Sequence, residues 1–209
     1  MISTLSPNDL ERLESAGYIV VETSKNPLIQ CTQLKRLSER LYAEKYFKTA
    51  TIGEAKTTQQ NKPEIRNDFT LWIDDKNWPS GLKPDEIDLL QNFCHSLTQI
   101  QTELKNYFRL SLNSYETHFA IYPKGHFYKK HVDQTAENNR RHFSFVLYLN
   151  QGPWSESEGG QLVGYKGSEK VFEVLPTGDR MIIFFSSIEH EVLPTQRERF
   201  SITGWFRND

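Results

Sequence analysis

The chain has 209 residues, a formal charge of −2 and only two cysteines, Cys31 and Cys94. That length suits one compact domain with a sizeable core. The near-neutral balance lacks the basic face of a nucleic-acid binder, and two cysteines without metal-ligand spacing build neither a disulfide framework nor a zinc site.

In SPNDLERLESAG, Ser6 is a predicted N-cap, Pro7 takes the first helical position and Gly17 is the stop. YIVVET follows as a short strand. NPLIQCTQLKRLSERLYAEKYF reads as a second helix that starts at Asn26 and Pro27. The polar run GEAKTTQQNKPE, residues 53–64, is expected to be a loop and a candidate lid, leading into a strand in IRNDFTLWID. From Pro84 a long helix is expected. Its Leu90, Phe93, Leu97, Ile100, Leu104 and Phe108 fall on one stripe suited to lie along a sheet.

From residue 114 the texture changes to eight short apolar runs separated by Gly, Pro, Asn and Ser. They begin with SYETHFAIYPKG and end with RFSITGWFR. The predicted fold is mainly β with α: a double-stranded β-helix (jelly roll) with N-terminal helices packed on one sheet. Residues 1–209 would form one domain, with 1–113 as helical support and loop region and 114–207 as jelly-roll core. No run is apolar over the length of a membrane span, and MISTLSPNDLERLE lacks a charged segment followed by an apolar one. The expectation is a cytoplasmic monomer that binds neither membrane nor nucleic acid.

His131 and Asp133 sit at i and i+2 of HFYKKHVD, so on a strand they converge on one face. Alone, that pair reads better as an ordinary polar strand edge than as a metal site. SSIEHEVLP adds His190 between the sixth and seventh predicted strands of the jelly roll. Two imidazoles and one carboxylate on one face of an octahedral ion leave positions open, the pattern of non-haem Fe(II) oxygenases rather than of closed structural zinc. Arg199, which opens the last strand, could pair with the distal carboxylate of a chelating 2-oxoglutarate. Alternation on RFSITGWFR puts Arg199, Ser201, Thr203 and Trp205 on one face and Phe200, Ile202 and Phe206 on the other. Of the other histidines, His95 reads as structural within its helix. His118, His126 and His142 read as buried, hydrogen-bonded strand residues.

The segments YPKGHFYKKHVD, FVLYLN, GGQL, DRMIIFFSSIEHEVLP and RFSITGWF, in that order, resemble the prolyl 4-hydroxylase family of Fe(II)/2-oxoglutarate-dependent dioxygenases. The family includes the hypoxia-sensing prolyl hydroxylases and their bacterial relatives. The likeness runs from about residue 60 to 207, and IRNDFTLWI resembles the segment beside the family's substrate-covering loop. It implies Fe(II) held by His131, Asp133 and His190. It implies 2-oxoglutarate held by Arg199 with Tyr122, Tyr148 and Thr203, with Ser201 on the same wall. Arg66, Asp68, Trp72 and Arg141 match positions near a peptide substrate, and Trp205 matches an indole close to the metal. The implied reaction consumes O2, hydroxylates a prolyl residue of a protein, and releases succinate and CO2, with ascorbate as a reductant. A translation elongation factor is among the targets of such bacterial relatives.

Rival readings are an oxygenase acting on another amino-acid residue or on a small molecule, a cupin-type enzyme, and a non-catalytic jelly-roll binding module. A nucleic-acid demethylase of the same superfamily would carry a second arginine where this chain has Trp205. Cupins usually present His-x-His where this chain has His-x-Asp. The metal triad with Arg199 weighs against a pure binding module.

Overall fold

Ser6 caps the first helix, α1 (Pro7–Ala16), in the computed structural model, which describes residues 4–52, 60–73, 78–134 and 139–208. Its hydroxyl accepts from the Asp9 amide while the Asp9 carboxylate accepts from the Ser6 amide, a reciprocal capping box. Gly17 ends the helix with φ +84°, a left-handed conformation that costs glycine least. Strand β1 (Tyr18–Glu22) follows. Helix α2 (Cys31–Ala43) begins later than the expected Asn26–Pro27 start. The Asn26 side chain instead accepts from the Leu28 amide, closing a turn that holds this stretch out of the helix.

Strand β2 (Lys48–Thr49), too short to show a period in the sequence, pairs with β3 (Phe69–Trp72). The strand expected over IRNDFTLWID is thus confined to its second half. Within the preceding Ile65–Asp68, Arg66 makes only an isolated bridge to Tyr128. Of the expected 53–64 loop, residues 53–59 lie outside the described residues, and Ile52 and Gln60 pair across its ends. Helix α3 (Pro84–Phe108) buries Leu90, Phe93, Leu97, Ile100 and Leu104 along its predicted stripe.

All eight later strands form: β4 (Ser114–Tyr122), β5 (Tyr128–His131), β6 (Arg141–Tyr148), β7 (Leu162–Lys166), β8 (Glu169–Val174), β9 (Arg180–Phe185), β10 (Glu189–Val192) and β11 (Arg199–Arg207). They divide between a seven-stranded sheet, ordered β1-β9-β6-β11-β4-β3-β2, and a four-stranded sheet, β5-β10-β7-β8. Every pairing is antiparallel, as a jelly roll requires. Because β1 pairs with β9, the N-terminal region shares the large sheet with the strands after residue 114.

Alternation sorts the side chains of the large sheet into two cores. Phe119, Phe143, Phe145, Ile183, Ile202 and Phe206 pack outward against the three helices. Ala120, Tyr122, Val146, Tyr148, Ile182 and Phe184 point inward to Leu162, Phe172, Val174 and Val192 of the small sheet. No helix among the described residues is long and apolar enough to cross a membrane. Leu97→Ala, at the fully buried centre of α3, is expected to destabilise the protein by about 2–5 kcal/mol, read as a lower urea midpoint with an unchanged slope.

Candidate metal centre

Antiparallel pairing in the small sheet sets His190 of β10 directly opposite His131 of β5. The sequence placed His190 between strands; it lies within β10. Asp133 sits in the turn after β5. Its amide and that of Gln134 both donate to the Ser186 carbonyl, at 3.2 and 3.0 Å, which tucks the carboxylate back under the two imidazoles. Ligand atoms of His131, Asp133 and His190 all lie within 4.8 Å of one another.

The proton positions on these rings follow from their partners. Nδ1 of His131 meets the Lys129 carbonyl at 2.8 Å, and Nδ1 of His190 meets the Ile188 carbonyl at 2.9 Å. A carbonyl can only accept, so each Nδ1 donates and each Nε2 is the atom left to carry a lone pair. Those two Nε2 atoms face the Asp133 carboxylate at 3.6 and 3.4 Å. Burial first, and then His190, push the pKa of His131 well below the usual imidazole range. Burial works to raise the pKa of Asp133, but His190 and His131, with help from the Ser144 hydroxyl, hold it below the usual carboxylate range. With both Nδ1 atoms engaged by carbonyls, the two Nε2 atoms and the Asp133 carboxylate converge as donors where one cation could meet all three. The residues therefore fit a divalent metal, and an N2O donor set on one side suits ferrous iron with open positions.

Tyr128 stacks on the His131 ring at 3.6 Å between centroids, and the Arg66 guanidinium lies over Tyr128 at 4.6 Å. Arg66 in turn makes two bonds to Asp68, Nε to Oδ1 at 2.6 Å and Nη2 to Oδ2 at 2.9 Å. Asp68 is fully buried, and this two-bond pair satisfies both of its carboxylate oxygens. Arg66→Ala is expected to cost about 3–5 kcal/mol of stability by stranding that carboxylate. A denaturation midpoint equal to the parent's would show that the pair is dispensable.

The other residues expected near a substrate gather beside this stack. Trp72 is 47% exposed and lies against His118 at 4.8 Å and Trp205 at 6.2 Å. Arg141 opens β6, sits 3.7 Å from the Trp205 ring and donates to Glu116. The Trp205 indole favours the ionised form of Asp133, yet its N–H meets no acceptor at hydrogen-bond geometry among the described residues.

Among the other histidines the outcome is mixed. His126 is hydrogen-bonded as expected, donating from Nδ1 to the Asn67 carbonyl at 2.6 Å. His118 is not. It is buried on the inner face with neither ring nitrogen hydrogen-bonded among the described residues. It lies between Trp72 and Trp205, and burial, then Arg66 and Arg141, push its pKa well down. Sequence reasoning also missed Tyr128 and Ser144. Counting back by twos from Tyr148 along β6 would have found Ser144 on the inner face.

Arg199 opens β11 opposite Tyr122, the last residue of β4. It is 1% exposed. Its Nε donates to the Gly160 carbonyl at 3.0 Å and its Nη1 to Ser201 Oγ at 3.1 Å. Gly160 has φ +73°, and a Cβ there would approach Arg199 Cδ to 3.2 Å, so glycine permits the contact. The rings of Tyr122 and Tyr148 lie 4.9 and 5.3 Å from the guanidinium carbon. The Tyr148 hydroxyl makes no hydrogen bond among the described residues, and burial pushes its pKa up to about 12 against the pull of Arg199. Ser201 faces Tyr148 across β6, and half-buried Thr203 follows on the same face of β11. Among the described residues no carboxylate pairs with the Arg199 guanidinium. A buried cation without an anion is costly, so this end of the pocket fits a carboxylate ligand.

Residues 117–207 match the 2OG-Fe(II) oxygenase superfamily. A hypoxia-inducible factor prolyl hydroxylase of Caenorhabditis elegans is 31% identical over 180 residues, 80% of this chain; the chain spans 23% of that relative's length. The crystal structure of a Pseudomonas putida prolyl-4-hydroxylase superposes with a TM-score of 0.79 at 30% identity, covering 97% of this chain and 98% of that one. A prolyl hydroxylase of Trichoplax adhaerens, in complex with a hypoxia inducible factor oxygen degradation domain peptide fragment, shares the fold with a TM-score of 0.80 at 22% identity. That superposition covers 95% of this chain and 87% of the other.

Proposed function

Because the chain belongs to the 2OG-Fe(II) oxygenase superfamily and resembles its prolyl hydroxylases across nearly its whole length, we propose that it hydroxylates a prolyl residue of a protein, consuming O2 and 2-oxoglutarate and releasing succinate and CO2. The observation that carries this reading is the pairing of a His131–Asp133–His190 centre with the buried Arg199, which no carboxylate partners among the described residues, between the same two sheets. One feature binds a metal and the other a carboxylate, and a 2-oxo dicarboxylic acid joins the two.

Bound ferrous iron would supply the oxygen chemistry, coupling decarboxylation of the oxo acid to oxidation of a C–H bond. The protein's own residues do the rest. His131 and His190 present Nε2 lone pairs because their Nδ1 protons are spent on backbone carbonyls. Asp133 stays ionised and balances part of the metal charge. Arg199 anchors the far carboxylate, with Ser201, Thr203, Tyr122 and Tyr148 shaping that end. Trp205, stacked under Arg141, walls the side toward the substrate, and the Arg66–Asp68 pair fixes the approach beside Tyr128. Trp72, exposed at the edge of this cluster, offers an apolar face to a peptide.

The test is mass analysis of cell-extract proteins after incubation with the enzyme, Fe(II) and 2-oxoglutarate. A protein gaining one oxygen on proline, only when all three are present, is the expected result. Oxygen placed on another residue type would redirect the assignment.

A further inference from the structure

We propose that Ser144 and Ser186 form a two-hydroxyl relay that sets the orientation of Asp133 as a metal ligand; the proposal rests on reading His131, Asp133 and His190 as a metal centre. Ser144 Oγ lies 2.7 Å from Asp133 Oδ2, and 2.9 Å from Ser186 Oγ. A carboxylate has no proton to give, so Ser144 must donate to Asp133. Its only proton is then used, and the contact with Ser186 has one possible direction: Ser186 donates to Ser144. The chain of donors ends on the carboxylate, and each bond polarises the next.

Ser186 holds the same aspartate a second way. Its carbonyl accepts from the amides of Asp133 and Gln134, while its own amide donates to the His142 carbonyl at 3.0 Å. One residue at the end of β9 therefore fixes the backbone of the turn and, through Ser144, the side chain that the turn carries. The relay occupies a lone pair of Oδ2, which restrains the carboxylate from rotating between one-oxygen and two-oxygen ligation.

Packing does not explain these hydroxyls. Ser144 and Ser186 are 1% and 0% exposed, and Ser144 stands opposite Phe184 of β9 and Trp205 of β11. Alanine would fill either position without the cost of desolvating a hydroxyl, so packing alone does not call for serine. Both are positioning residues: they act on the metal through Asp133.

The test uses the full chain with Co(II) alone, whose visible absorption reports the number and geometry of its ligands. Ser144→Ala is expected to weaken Co(II) binding by about 10–100-fold and to change the spectrum, since loss of a partner to a metal ligand has that typical effect. Ser186→Ala should weaken it less, and the double variant should bind no worse than Ser144→Ala, because two links in series fail together. Ser144→Thr, which keeps the hydroxyl, should restore both affinity and spectrum. Metal-free melting curves identify any variant that fails to fold, and Ser186→Ala then carries the same comparison. Parent-like affinity and spectrum in Ser144→Ala, or additive losses in the double variant, would overturn the relay while leaving the metal centre in place. If the parent binds no Co(II) in a His190-dependent manner, the metal-centre reading and the relay both fall.

Discussion

Alanine at His190 is expected to abolish iron-dependent turnover and to lower Fe(II) affinity by more than about 100-fold, because losing even an outer-sphere partner of a ligand commonly costs about 10–100-fold. His190 supplies one of three donors, and its ring is buried beside Phe184 with Nδ1 fixed on the Ile188 carbonyl. The fold should survive. His190 lies within β10, whose backbone pairing with β5 and β7 does not depend on the imidazole. The metal-free variant should therefore still melt cooperatively, while added Fe(II) should raise the melting temperature of the parent alone. His131→Ala should behave alike, with the further loss of the ring on which Tyr128 stacks. Succinate production near the parental rate in either variant would remove these histidines from the reaction.

Arg199→Met is expected to raise the 2-oxoglutarate concentration needed for half-maximal turnover by more than about tenfold, since truncating one member of a desolvated charge pair costs about 2–5 kcal/mol. Fe(II) affinity should stay near that of the parent. Methionine is chosen because it keeps much of the side-chain volume while deleting the charge. Among the described residues the buried guanidinium donates to the Gly160 carbonyl and the Ser201 hydroxyl and pairs with no carboxylate, so the ligand-free protein bears its desolvation without an anion in return. Removing it should leave the stability of the ligand-free protein unchanged or raised. An arginine kept for structure would show the reverse: lost stability and unaltered 2-oxoglutarate affinity.

The sequence made the jelly roll legible because its strands alternate cleanly and are punctuated by turn residues. Alternation on β11 correctly separated Arg199, Ser201, Thr203 and Trp205 from Phe200, Ile202 and Phe206, and that separation defines the pocket wall. Ser6 and Gly17 were readable because their roles depend on local geometry alone. What escaped depended on contacts distant in sequence. Asn26 and Pro27 resemble a helix start, but the Asn26 side chain closes its own turn first. Strand β2 exists only because β3 lies beside it. The stretch before β3 reads as strand, yet Asn67 takes bonds from His126 and Phe127 and draws the chain away from regular pairing. His118 was expected to be hydrogen-bonded; its aromatic neighbours come from β3 and β11, which no local pattern reveals. The metal triad was suggested by spacing, but the carbonyls that direct both Nε2 atoms toward Asp133 are visible only in three dimensions.

The central claim is that one pocket joins a metal at His131, Asp133 and His190 to a carboxylate at Arg199. Equilibrium dialysis of 2-oxoglutarate under anaerobic conditions, with and without Fe(II), tests it most directly. The account predicts one 2-oxoglutarate per chain, bound more tightly with Fe(II) present. The Fe(II) enhancement should vanish in His190→Ala, and affinity should fall more than about tenfold in Arg199→Met. Binding that ignores Fe(II), or that persists unchanged in both variants, would contradict it.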